Sequence, residues 1–350
     1  MSVVHLAPGE TQSGAEASAS PGEWALIWRR FRRDWIALGA LFMLSAVVAA
    51  CFVVEPILEV VLGHDGSQPI PNAVEVNLNP VGPFSWASYI APDGVPHRAF
   101  LLLGGDGPLG RDELLRLLAG GRVSLEIALI ATAIALGLGI VLGALAGYYG
   151  GVIDAVVSRV TELLMSFPLL LLMIAFGQTV AGRFQDITVH GLFSPGVLSL
   201  GVVVGVFCWF YPARLVRALV RSLKEEEFVE AARMVGASDA RIIRQHLAPH
   251  AAGPLIVWGT LVASGVIILE ASLSMLNVGV RLGTASWGNL LASNWGTLLA
   301  FNPGAAEAGV SYPKPPLLMV WPALILFVTV LALAAAGDGL RSALDPKERQ

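Results

Sequence analysis

The chain has 350 residues, 55% of them apolar and only 14% charged, with a mean hydropathy of +0.70 and a net charge of −4. Such values exclude an ordinary water-soluble domain, and the net acidity offers no basic face to nucleic acid. Cys51 and Cys208 lie in separate apolar runs, where they read as small buried residues rather than as a disulfide.

Residues 1–34 form an N-terminal tail whose first 23 residues, rich in Ala, Ser, Gly and Glu, are expected to be disordered. Arg29, Arg30, Arg32 and Arg33 then precede an apolar run, which is also how a secretory signal begins. Val48-Ala49-Ala50-Cys51 resembles a lipoprotein cleavage box, but the run continues through Phe52-Val53-Val54, so an uncleaved first membrane helix over 35–54 is expected.

Residues 55–122 are expected to be an external loop. Its first part carries Pro56, Pro69, Pro71, Pro80, Pro83, Pro92 and Pro96, a density that argues against a long helix and for extended, turn-rich chain. Phe84, Trp86 and Tyr89 are expected to rest on the membrane interface or on a partner.

A core over 123–336 follows, then a short tail over 337–350. Six segments reach the roughly 20 helical residues that cross a ~30 Å hydrocarbon layer. They are Trp35–Val54, Val123–Tyr148, Ala155–Gly177, Val197–Val216, Pro254–Met275 and Leu317–Ala336. None alternates as a membrane β-barrel strand does, so the expected fold is all-α, a polytopic bundle of six transmembrane helices. With the N-terminus in the cytoplasm, fifteen Lys and Arg fall inside and seven outside. That asymmetry places both termini, and the charged segment 217–250 within the core, on the cytoplasmic side.

Segment 217–250 lies between two apolar spans and is charged. Glu225, Glu226, Glu227 and Glu230 crowd its first turns, where a helix N-terminus favours acids. Val229, Ala232, Arg233, Gly236 and Ala240 recur at helical spacing with small side chains that admit another backbone. Gly236 is expected to end one short helix in the left-handed region, and Asp239 to cap a second from Ala240 to about His246. A solvated connector and a knob that fits a partner's groove both agree with these residues.

Carboxylates in or near the spans need partners. Glu162 lies three residues from Arg159 and Glu126 one turn from Arg122, so local pairs are expected. Glu270 sits sixteen residues past Pro254, about 24 Å along a helix and close to the outer face. It either lines the external mouth of a pathway or makes a structural hydrogen bond to neighbouring helix ends.

Other chemistry is sparse. The sequence has no Gly-x4-Gly-Lys-Ser/Thr phosphate loop, no Gly-x-Ser-x-Gly and no His-Glu-x2-His. His246 and His250 are four apart, but Pro249 is expected to interrupt the helix that would aim them together. No catalytic constellation, metal site or cofactor site is expected in this chain.

Glu230-Ala231-Ala232, three residues, Gly236, then twelve residues to Pro249 resembles the cytoplasmic coupling loop of ABC-transporter permeases. Leu109-Gly110-Arg111-Asp112, Gly147-Tyr148-Tyr149-Gly150-Gly151, Ser166-Phe167-Pro168, Leu269–Ser274, Ser286-Trp287-Gly288-Asn289 and Gly337–Pro346 extend the likeness. Over about residues 24–346 the chain resembles the second permease of oligopeptide, dipeptide and nickel importers. Three departures are Ala248-Pro249 for the usual Leu-Pro, Gly104-Gly105-Asp106 for Gly-Thr-Asp, and a lengthened, proline-rich Phe301–Pro316 loop.

The resemblance implies a type I importer (MetI-like) permease without its own ATPase site, in a bacterial plasma membrane. It implies a second permease, two cytoplasmic ATPases holding ATP and Mg, an external substrate-binding protein and surrounding lipid. It implies that Glu230, Ala231, Ala232, Gly236 and Pro249 couple the chain to the ATPase. Peptides are the expected cargo, with nickel or another small solute as the alternative. A secondary transporter would show inverted repeats or several mid-membrane charges, a membrane enzyme a polar cluster, and a scaffold would leave the Glu230 segment unexplained.

Overall fold

The computed structural model describes residues 28–74, 80–90, 95–179, 193–281, 283–299 and 317–344. The expected disordered tail, the Phe301–Pro316 loop and residues 345–350 lie outside them.

Helix α1 spans Trp35–Leu62. Asp34 starts it, its carboxylate accepting from the backbone N–H of Ile36 and Ala37 at 2.9 and 3.1 Å. The helix runs eight residues past the expected end at Val54, through Pro56. A π-helical stretch, Ala50–Val54, precedes that proline. Its wider turn shifts the hydrogen-bond register, so the ring enters without breaking the helix.

The region between α1 and the next helix is a small folded module rather than an open loop. Strand β1, Ser85–Ile90, pairs antiparallel with β2, Pro96–Leu101, Trp86 lying opposite Phe100. One face buries Ala87, Tyr89, Ala99 and Leu101 over Ile70 and Ala73. Tyr89 is therefore a core residue whose hydroxyl donates to the Gly63 carbonyl at 3.2 Å, whereas Phe84 and Trp86 are exposed. Two-residue strands β3, Gly105–Asp106, and β4, Arg111–Asp112, close the module.

Helix α2, Glu113–Tyr149, is the central post and begins ten residues before the expected span. Its 37 residues are about 55 Å long, well beyond a bilayer core. Gly139, Gly143 and Gly147 recur along the face that meets α6, Phe210–Leu223. A Cβ on Gly143 would stand 2.5 Å from the Ala213 carbonyl oxygen, so the two backbones approach as only glycine permits.

Two expected spans are broken. Helices α3, Gly151–Ser166, and α4, Leu169–Thr179, meet at 89°. Pro168 forces Phe167 into an extended conformation (φ −98°, ψ 139°) and stops α3. Helices α5, Val197–Cys208, and α6 bend by 43° around Trp209.

Helix α7, Glu227–Met234, follows, then α8, Asp239–Met275, α9, Trp287–Leu299, and α10, Leu317–Leu344. The expected second short helix is thus the continuous first part of α8. A π-stretch, Ile242–Leu247, again comes just before a proline, and Pro249 falls in the first turn of the α-helical part instead of interrupting it. Among the described residues, four helices (α1, α2, α8 and α10) are each long and apolar enough to cross a membrane, and the number is six if each bent pair is one span. The bundle core gathers Ile127, Ala131, Leu200, Val204, Ile267 and Trp287 from α2, α5, α8 and α9.

Candidate functional site

Two clusters, one at each end of α2, absorb most of the distinctive sequence fragments. The first is built around α7. Gly236 has φ +83°, and the N–H of Ala237 donates to the Ala232 carbonyl at 3.0 Å. That left-handed closure turns the chain sharply into α8. The space around Gly236 is open, so it is conformation rather than crowding that asks for glycine here.

Helix α7 has two unlike faces. Val229 and Ala232 are buried against Tyr148, Val216, Val220, Ile242 and Leu247. Glu230 and Ala231 point away, joined by Met234 and Val235, which are 83% and 85% exposed. Ala232 thus faces its own bundle, and Pro249 is exposed on the first turn beyond the π-stretch. Met234 and Val235 escaped the sequence reading, although two large apolar residues before a left-handed glycine in a charged segment were a usable signal.

The segment is pinned to the bundle by polar contacts. The Tyr148 hydroxyl donates to Asp239 Oδ1 at 2.6 Å, and Lys224 Nζ donates to the Tyr148 carbonyl at 2.7 Å. Ser238, not Asp239, holds the N-cap position of α8, and it makes no side-chain cap bond. Asp239 instead spends its carboxylate on Tyr148. Nearby, Arg217 on α6 grips Asp154 on α3 with two N–H groups, one at 2.8 Å. His250 Nδ1 lies 2.7 Å from the His246 carbonyl oxygen, which turns that ring toward its own helix rather than toward a shared metal. The expected pair of Arg159 with Glu162 is present at 2.9 Å on the surface of α3.

The second cluster lies at the other end of α2. Glu270 is fully buried and accepts hydrogen bonds from Ser124 at 3.0 Å and from Ser274 and Ser286 at 2.9 Å each. Trp287 Nε1 donates to the Leu117 carbonyl at 3.0 Å, and Asn289 Nδ2 reaches the carbonyls of Arg281 and Thr284 at 3.3 and 3.0 Å. The Glu270 and Ser286–Asn289 fragments therefore form one knot tying α2, α8 and α9. Of the two roles open to Glu270, the structural hydrogen bond is present in this geometry, with the carboxylate fully buried.

Gly110-Arg111-Asp112 belongs to the same end. Gly110 turns at φ +63°, Arg111 and Arg116 pair with buried Asp106, and Asp112 caps α2 through the N–H groups of Leu114 and Leu115. Asp106 survives where Gly105 replaces the usual Thr. The expected Arg122–Glu126 pair is present at 3.1 Å. Among the described residues, no group of three or more His, Cys, Asp or Glu gathers as for a metal ion.

Residues 139–350, which include both ends of α8 and the whole α7 segment, match the family described as binding-protein-dependent transport system inner membrane component. The chain belongs to that family. It is a multi-pass inner-membrane permease subunit of an ABC importer. The permease is 40% identical over 240 residues to the oligopeptide transport system permease protein OppC of Salmonella typhimurium, covering 69% of this chain and 70% of that protein. It is 34% identical over 327 residues to the glutathione transport system permease protein GsiD of Shigella flexneri, covering 93% and 90%. A solved structure, the MetNI methionine ABC transporter in an inward-facing conformation, aligns over 66% of this chain and 97% of its own at 18% identity and a TM-score of 0.45.

Proposed function

We propose that this permease forms half of the membrane pathway of an ATP-driven importer of small peptides, and that α7 is its docking point for a cytoplasmic ATPase. The observation that carries the docking reading is the exposed pair Met234–Val235 beside Glu230 and Ala231. Two adjacent large apolar side chains this exposed, on a turn among charged residues, support a contact with another protein. Glu230, Ala231, Met234 and Val235 meet the ATPase, Ala232 anchors the helix inward, Gly236 sets its angle, and Pro249 fixes the start of α8's regular turns.

The peptide reading follows from likeness to permeases named for oligopeptides and for glutathione, itself a small peptide. A second permease completes the pathway, two ATPases hold ATP and Mg, and an external binding protein delivers cargo. Both termini and α7 face the cytoplasm, in keeping with the distribution of Lys and Arg. An apolar cleft of about 490 Å³, lined by Leu169, Cys208, Tyr211, Trp258, Leu261 and others, opens sideways between α4, α6 and α8. A second subunit would supply its missing wall. ATP binding draws the ATPases together, carries the α7 segments with them and tilts the bundles to open outward.

The test is affinity purification of the tagged chain in mild detergent, with mass spectrometry of its companions. An ABC ATPase and a second multi-span permease at similar stoichiometry are expected, followed by uptake of a labelled tripeptide in vesicles. A chain that purifies alone as a stable homo-oligomer would overturn the docking role of α7 and the proposed partners.

A further inference from the structure

Movement of α7 has to reach the bundle through whatever holds it there. Its buried side chains, Val229 and Ala232, supply apolar contact that can slide. Phe228 stacks on His250 of α8, 5.1 Å between ring centres, and the contacts that reach α2 converge on one aromatic residue. Tyr148, nearly the last residue of α2 and almost wholly buried, touches all three parts of the segment. Its hydroxyl donates to Asp239 at the start of α8. Its carbonyl accepts from Lys224 at the end of α6, and that ammonium also lies 5.5 Å from the ring centre. The Arg233 guanidinium, on α7 itself, lies 5.6 Å from the same ring.

Two cations on one ring and a carboxylate on its hydroxyl make a directional joint, because each contact weakens quickly with angle or distance. The residue also belongs to the central post. Helix α2 meets α3, α5, α6, α8 and α9, and its outer end carries the Glu270 knot. Gly150 and Gly151, both at positive φ, turn the chain immediately afterwards, so α2 ends here and α3 sets off in a new direction.

We propose that Tyr148 is the positioning residue through which displacement of α7 is delivered to α2, and hence to the outer face. The inference rests on the docking role given to α7 above. The Tyr148–Asp239 bond fixes α2 to α8, while Arg233 on the ring makes the joint follow α7. Without the hydroxyl the tie from α2 to the start of α8 is lost, and the cations left on the ring and the Lys224 bond to the backbone no longer hold the segment at a fixed angle to α2.

The experiment uses the complex purified with its ATPases and second permease. Cys51 and Cys208 are replaced by Ala, and spin labels are placed at Leu109→Cys, ahead of α2, and Val320→Cys, near the start of α10. The distance between the labels is measured without nucleotide and with a non-hydrolysable ATP analogue. The parent complex should show a nucleotide-dependent shift. Tyr148→Phe and Asp239→Ala should assemble and bind nucleotide as the parent does, yet lose that shift. Asp239→Asn, whose amide oxygen still accepts the hydroxyl, should keep it. A full shift in Tyr148→Phe would overturn the proposal while leaving the docking role of α7 intact. Loss of assembly in Tyr148→Phe would also overturn it, by showing a residue needed only for folding. A parent complex without any shift would remove the coupling reading and this proposal together.

Discussion

Ser124 and Glu270, 146 residues apart in sequence, meet in the interior with the serine hydroxyl 3.0 Å from the carboxylate. With Ser274 and Ser286 they give the buried Glu270 three hydroxyl donors. A typical intramolecular hydrogen bond contributes about 0.5–1.5 kcal/mol, and stranding its buried partners costs about 1–3 kcal/mol more. Glu270→Ala should therefore lower the melting temperature of the detergent-solubilised protein clearly, and Glu270→Gln less, since its amide oxygen keeps part of the network. If both variants melt like the parent but change transport, Glu270 serves the pathway rather than the knot.

At Gly236 the backbone sits at φ +83° with room around it. A β-branched residue there is strained by about 1–2 kcal/mol, and more so where the turn cannot relax. Gly236→Val should relieve that strain by rotating the turn, which re-aims Met234 and Val235. The variant is expected to insert normally but to co-purify poorly with the ATPase or to lose ATP-driven uptake. Unchanged assembly and uptake would remove Gly236 from the coupling argument.

That turn was legible in the sequence because a left-handed position has few solutions, and glycine after a short helical pattern is the commonest. The place of Glu270 near one end of its helix was legible for a similar reason, since residue count fixes height along a helix. Its partners were not, because nothing local links Ser124 or Ser286 to a residue far along the chain. The kink at Pro168 was written in Ser166-Phe167-Pro168, yet apolar continuity across it suggested a single span. Counting prolines likewise hid the hairpin, where Ala87 and Tyr89 alternate with Trp86 and Ser88. The same rule misjudged Pro56 and Pro249, since a π-turn ahead of each lets the helix continue.

Exposure of Met234 and Val235 gives the docking reading its sharpest check. Neither side chain supports the bundle, so Met234→Asp with Val235→Asp should change the stability of the isolated permease by no more than about 0.5 kcal/mol. Buried in an interface, the same charges should weaken ATPase association by at least tenfold, given a cost of several kcal/mol for unpaired buried charge. Affinity for the purified ATPase, measured in nanodiscs, separates these effects. Equal affinity for parent and double variant would move the docking surface elsewhere.

The hairpin module between α1 and α2 carries a titratable link of its own. His64 Nε2 lies 3.2 Å from Asp112 Oδ2, and Nδ1 lies 3.2 Å from the Leu62 carbonyl oxygen. Two acceptors suit a ring with both nitrogens protonated. Burial alone would disfavour that charge, but the bond to Asp112, the Leu62 carbonyl and the nearby Asp65 outweigh it and hold His64 above its ordinary value of 6.5. The folded protein thus binds the proton more tightly than the unfolded chain does. The resulting stabilisation is complete below about pH 6.5, the unfolded value, and fades as pH rises through the higher folded value. His64→Phe keeps an aromatic ring against Tyr89, 5.7 Å away between ring centres, but removes the proton. The melting-temperature gap between parent and His64→Phe should be widest in mild acid and narrow toward alkaline pH. A gap that stays constant, or widens with pH, would show that His64 is held neutral and contributes by packing alone.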